Sequence, residues 1–286
     1  MKVKEAKNKI IVALDVDDPE MAIDLVKRLR PHVGMFKLGL EFITSTIESL
    51  VYEPEPNNWA SAGAAKFTLN NLRALFHLAK GKIFWDGKFD DIPNTVAGAS
   101  HGATRMHVAM FNIHCTAGRK AMEAARKAVD NLLIPGTSRP KILGVSLLTS
   151  LGYEDLIDMG FKDRCYPGAF SGEGLKERYK LDIQSIVRQL AHLAKDCGLD
   201  GVIASPQEIT AIREECGPDF LIVTPGVRPE WAAVGDQKRV MTPAEAIKAG
   251  ADYLVIGRPI TKPPEEIGTP VDAAKRIAEE IASATE

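Results

Sequence analysis

Cysteine is scarce and scattered. The four in 286 residues, Cys115, Cys165, Cys197 and Cys216, form no Cys-x-x-Cys pair and no Cys/His ligand spacing. That excludes a finger- or ribbon-type zinc site and gives no disulfide framework, so the expected setting is reduced and cytoplasmic. Charge of one sign is missing as well. Thirty-six basic residues face 38 acidic ones, for a formal charge of -2. No general positive field exists to hold a nucleic acid, although a local basic pocket stays open. Long apolar runs are absent too. The run at residues 10–14 stops at Asp15, too short for a signal h-region or a membrane span, so no membrane partner is expected. No Gly-x-Gly-x-x-Gly follows the first strand-like stretch, which weakens a doubly wound nucleotide-binding sheet. Repeats and low-complexity tracts are lacking. What remains is 45% hydrophobic and 26% charged, ordinary for a globular protein with a sizeable core.

Along the chain, strand-like and helix-like stretches alternate. Strands are expected at 9–16, 35–40, 82–89, 110–116, 141–148, 201–205, 221–226 and 253–260. Helices are expected at 19–30, from 41, and at 67–80, 95–105, 119–132, 182–197, 206–215, 243–249 and 271–284. Two interruptions stand out. Residues 53–65, with Pro54 and Pro56, read as a surface insertion. Residues 151–180 read as a long loop region holding a short helix and a Gly-rich loop. Eight strand–helix pairs in one alternation predict an α/β fold, a (β/α)8 TIM barrel forming a single domain over 1–286. A doubly wound sheet is the runner-up.

Charge appears where buried strands should have none. In the stretch KIFWDGKFDDIPNT, a period of two puts Phe84, Asp86 and Lys88 on one face and Ile83, Trp85 and Phe89 on the other. Asp91 follows at the turn into the next helix. Asp15 ends the first strand and Lys37 interrupts the second. In a barrel, these residues put charges of alternating sign on three adjacent strands at the active face. A surface ion pair at a strand end is the plain alternative. For Lys88, each favourable pair at 4 Å is worth about 4 kcal/mol at an effective dielectric near 20. Burial opposes this by up to about 4–7 kcal/mol. Two carboxylate neighbours therefore predict a charged proton donor, not a Schiff-base nucleophile.

Strand seven leads into Thr224-Pro225-Gly226-Val227-Arg228 and strand eight into Gly257-Arg258, each pairing a glycine with an arginine where barrels often hold phosphate. Residues 235–239, with Gln237, are polar and long enough to act as a lid. His114, without a partner at ligand spacing, reads as structural.

Asp86 to Thr95 (DGKFDDIPNT) resembles the signature of the orotidine 5′-phosphate decarboxylases. TPGVRP, DQKRV and IGRPI resemble that family's phosphate-side segments in order, ALDV and KLGLEF its first two strands, and SLLTS its fifth. The resemblance implies a (β/α)8 barrel that decarboxylates orotidine 5′-monophosphate without metal or organic cofactor. By resemblance, Asp15 and Lys37 hold the ribose hydroxyls, Lys88 protonates C6, and Asp86 sits beside the substrate carboxylate. Thr149 borders the pyrimidine, Gln237 links base and phosphate, and Arg258 clamps the phosphate. Ile92, Thr95, Pro225, Arg228 and Gly257 complete the substrate-binding set. Asp91 reaches the site of a neighbouring subunit, which implies a homodimer. Asp90 competes for that role, and spacing favours Asp91. Three rivals stay open: a magnesium-dependent sugar-phosphate decarboxylase or synthase sharing Asp-x-Lys-x-x-Asp, a Schiff-base aldolase, and a non-catalytic nucleotide-phosphate binder.

Overall fold

The computed structural model describes residues 1–51, 59–132, 138–161, 173–232 and 241–284, with residues 59–65 and 173–177 as backbone only. Eight short parallel strands close into a barrel in chain order. They are β1 (Ile10–Ala13), β2 (Met35–Leu38), β3 (Ile83–Phe89), β4 (Met110–His114), β5 (Lys141–Val145), β6 (Gly201–Ile203), β7 (Leu221–Thr224) and β8 (Tyr253–Ile256). The ring closes where Ile11 of β1 registers with Met35 on one side and Val255 on the other.

The period of two sorts the strand residues into two cores. Ile11, Ala13, Met35, Phe84, Met110, Leu143, Val223 and Val255 fill the barrel interior. Ile10, Val12, Phe36, Leu38, Ile83, Phe111 and their counterparts pack outward in the layer shared with the helices. Strands buried on both faces read as continuous apolar runs, which is why the alternation is visible in the sequence. Three helices start on one device, a proline in the first turn behind a side-chain cap. Asp18 accepts from the Glu20 N–H at 2.8 Å, while Thr242–Glu245 and Thr269–Asp272 form capping boxes.

Several boundaries differ from the expectation. The insertion at 53–65 is in part helix, since Trp59–Leu78 is a single helix and the alanine-rich WASAGAA supplies its first turns. Residues 52–58 lie outside the described residues. The long loop region at 151–180 holds the expected short helix (Tyr153–Asp158), but its last part already belongs to the helix Glu173–Asp196. Lys, Glu, Leu and Arg favour helix there despite Gly174. β1 ends at Ala13, β5 at Val145 and β8 at Ile256. Beyond β8 the chain turns into the short helix Arg258–Thr261, where Pro259 suits a first turn and cannot extend a ladder. A short helix (Val3–Ala6) and a 3-10 turn (Lys7–Lys9) precede β1.

Cys115, Cys197 and Cys216 are free and buried. Burial, with Cys197 nearby, pushes the Cys115 thiol up to about 12, so it stays protonated and inert. Among the described residues no helix is long and apolar enough to cross a membrane.

Candidate active site

Strand register assembles the charges. Ala13, Lys37 and Phe84 are level across β1, β2 and β3. Asp15 and Asp86 each lie two residues further along, so they stand on either side of Lys37 one step up. Lys37 Nζ reaches both, donating to Asp15 Oδ1 at 2.9 Å and pairing with Asp86 Oδ2 at 3.2 Å. Lys88 Nζ donates to Asp86 Oδ1 at 2.7 Å and completes the row Asp15–Lys37–Asp86–Lys88. Gly39 makes room for it. A Cβ there would stand 2.6 Å from Lys37 Nζ.

Burial opposes both central charges, yet their partners win. Burial is the largest influence on Lys37 and favours the neutral amine, but Asp86 and Asp15 together raise its pKa above the ordinary value. Burial likewise disfavours the Asp86 carboxylate, while Lys37, Lys88 and the hydrogen bonds from Lys88 and Asn112 together hold its pKa below the ordinary value.

Asp86 and Lys88 converge because β3 bulges. Trp85 registers with Phe111 and Phe89 with Ile113, so Asp86, Gly87 and Lys88 span the distance that Asn112 alone spans on β4. Lys88 takes a left-handed backbone, φ +46°, uncommon for a residue with a side chain. At Gly87 a Cβ would stand 2.8 Å from Trp85 Nε1 and 3.0 Å from the Phe89 ring. Asn112 is fully buried. Its Nδ2 donates to Asp86 Oδ1 at 2.6 Å, and its Oδ1 accepts the Lys88 backbone N–H at 2.7 Å.

A cavity of about 560 Å³ opens above the apolar barrel interior, a size suited to a nucleotide. Asp15, Lys37, Asp86 and Lys88 line one wall, and Arg228 and Arg258 bring two guanidinium groups to it from the β7 and β8 loops. Thr149, Pro225 and Gly257 are also on its surface. Gly226 adopts φ +77°, a conformation that favours glycine, and the next turn is fixed by the Arg228 N–H donating to the Met241 carbonyl at 2.9 Å. At Gly257 a Cβ would meet nothing of this chain closer than 3.5 Å, so packing within the chain does not demand a glycine there.

Other expected residues stand elsewhere. Asp91, Ile92 and Thr95 are exposed and do not line the cavity of their own chain. Asp91 Oδ1 accepts from the Ile92 N–H at 2.6 Å. Of the two carboxylates expected beside Lys88, Asp86 alone contacts it within the chain. Gln237 lies outside the described residues. His114, at the end of β4, is not in the cavity lining. Burial lowers its pKa, against the pull of Asp90. Sequence reasoning missed Asn112 and Gly39, and also Glu41 and Lys262, which line the cavity. Asn112 had a signal, an amide inside the apolar run MFNIH.

Residues 8–168 and 168–277 match the model of the "Orotidine 5'-phosphate decarboxylase / HUMPS family". The chain is 46% identical over 277 residues to the orotidine 5′-phosphate decarboxylase of Moorella thermoacetica, covering 96% of this chain and 93% of that protein. The corresponding enzyme of Trichlorobacter lovleyi is 45% identical over 277 residues, covering 97% and 96%. Among solved structures, the orotidine 5′-phosphate decarboxylase from Lactobacillus acidophilus superposes with a TM-score of 0.68 at 28% identity, covering 95% of this chain and 98% of that one. With its barrel, its charged row and its full-length relatives in agreement, the chain belongs to the orotidine 5′-phosphate decarboxylase / HUMPS family.

Proposed function

We propose that the chain converts orotidine 5′-monophosphate to uridine 5′-monophosphate and carbon dioxide, a step of pyrimidine nucleotide synthesis, in the cytoplasm and without metal or organic cofactor. The observation that carries this reading is the unbroken row Asp15–Lys37–Asp86–Lys88 facing the same cavity as Arg228 and Arg258. The two arginines hold the phosphate beside Pro225 and Gly257 in the cavity lining. Asp15 and Lys37 take the ribose hydroxyls, and Thr149 borders the pyrimidine over the apolar barrel interior. Gln237 bridges base and phosphate. Asp91, Ile92 and Thr95 complete the site of a second copy in a homodimer.

The chemistry asks for localised charge stabilisation. When the bond from C6 to the carboxyl carbon breaks, its electron pair stays on C6, which the ring delocalises poorly. Lys88, fixed by Asp86, sets an ammonium against that pair and then gives it a proton. The resulting neutral amine regains a proton from water. Asp86 beside the substrate carboxylate adds repulsion that departure of carbon dioxide relieves. Binding energy at the phosphate, remote from C6, aligns the ring.

The test follows the ultraviolet absorbance of orotidine 5′-monophosphate with purified protein, with and without chelator. Turnover is expected to survive the chelator, and Lys88→Ala to lower kcat by about a thousandfold or more while uridine 5′-monophosphate still binds. Activity lost to the chelator turns the reading toward a magnesium-dependent sugar-phosphate enzyme. Undiminished turnover in Lys88→Ala removes the proton donor.

A further inference from the structure

Asn112 is not itself part of the cavity lining, yet both of its amide atoms hold two residues that are, Asp86 and Lys88. A bulge takes residues out of the strand ladder and leaves their backbone groups without ladder partners. In β3 the Lys88 N–H finds its acceptor in the Asn112 side chain, at a residue whose left-handed backbone is unfavourable by itself. The same amide turns its Nδ2 onto the Asp86 oxygen that also receives the Lys88 ammonium. Fixing a backbone N–H and a carboxylate two residues apart leaves the Lys88 side chain little choice of direction. We propose that Asn112 is a positioning residue that holds the Lys88 turn and the Asp86 carboxylate in one geometry, so that the ammonium points where the proton is needed. The role rests on the decarboxylation reading for its kinetic consequence, though not for its geometry.

Three variants in the full chain test it. Asn112→Ala and Asn112→Ser remove both amide contacts, and kcat is expected to fall at least tenfold with KM within about threefold, since neither arginine loop is disturbed. Asn112→Asp keeps an acceptor for the Lys88 N–H but sets a second carboxyl against Asp86. Protonated, that carboxyl donates to Asp86 as the amide does; ionised, it repels. The ratio of variant to wild-type kcat is therefore expected to rise as pH is lowered, which a purely structural role does not produce. Exchange of the Lys88 backbone N–H with solvent, measured by NMR, gives a readout independent of turnover. It is expected to accelerate at least tenfold in Asn112→Ala while interior amides such as that of Val223 stay protected. Wild-type kcat in both the alanine and serine variants, a flat pH ratio, or unchanged Lys88 exchange overturns the proposal. Failure of the wild-type protein to turn over orotidine 5′-monophosphate sinks the proposed function instead, and the exchange rates then decide the role of Asn112 alone.

Discussion

Asp86 receives three donors: Lys37, Lys88 and the Asn112 amide. Its side chain is only 9% exposed, so removing its charge leaves two lysines short of a partly buried counter-ion. The sign of the pH dependence follows from the two shifts. The folded pKa of Asp86 is depressed, so its contribution is present above the unfolded carboxylate value and is lost as pH falls through the folded one. Lys37 is raised, so its contribution is complete below the unfolded lysine value and is lost only as pH rises through the folded one. Between those limits, roughly pH 5 to 9, the pair contributes no slope. Asp86→Asn is expected to cost about 2–3 kcal/mol of stability at neutral pH. The difference from wild type, read from urea midpoints, is expected to shrink as pH falls below the ordinary carboxylate range, where the unfolded wild-type carboxyl takes up a proton before the folded one does. A difference that grows on acidification contradicts the shift.

At the scale of the element, charge at the opposite end of the strands has a different use. Asp200, just before β6, accepts the Ile142 N–H of β5 at 2.8 Å, and Asp252, just before β8, accepts the Ile222 N–H of β7 at 2.8 Å. Each carboxylate is backed by arginine. Arg126 and Arg139 serve Asp200, and Arg213 donates to Asp252 while also binding the carbonyls of Gly217, Pro218, Phe220 and Gly250. Arg213 thus ties the end of one helix to the entry of two strands, remote from the cavity. Arg213→Ala is expected to destabilise the fold by about 2–3 kcal/mol, or about 4–10 °C in Tm, with kcat unchanged. A Tm within one degree of wild type removes the pin. These pins were not read from the sequence, because an aspartate before a strand looks like any turn residue. The strands themselves were legible, since both faces are apolar. Their ends were overrun because Val16 beyond β1 and Ile260 beyond β8 are buried without being in the ladder. Burial, which composition reports, outlasts pairing, which it does not. In the site, Asp15, Lys37, Asp86 and Lys88 announced themselves as charges in apolar runs. Gly39 carries no such mark and Asn112 only that of a neutral amide in an apolar run, so what they hold emerges from the bulge and from the space Lys37 Nζ occupies.

At the scale of the whole molecule, one carboxylate of the expected set stands apart from the cavity of its own chain. Asp91 follows the strand that supplies Asp86 and Lys88, yet it is exposed and outside its own cavity, and the neighbouring Ile92 is 66% exposed. The proposed two-fold dimer would account for both, because in such an interface the same patch serves each copy and every crossing contact occurs twice. In that dimer, covering Ile92 would contribute up to about 1.5–3 kcal/mol per copy, and Asp91 would face the lysines of the opposite cavity. The arrangement has a consequence that no monomeric site shares. Lys88→Ala and Asp91→Ala are each expected to be nearly inactive alone. Mixed in equal amounts and allowed to exchange subunits, they form hybrid dimers in which one cavity carries both lesions and the other carries none. About a quarter of all sites then become wild type if pairing is random, and activity is expected to return to about that level, at a rate set by subunit exchange. If Asp91 acted within its own chain, every cavity in the mixture would keep one lesion, and no activity would return however long the two variants stood together.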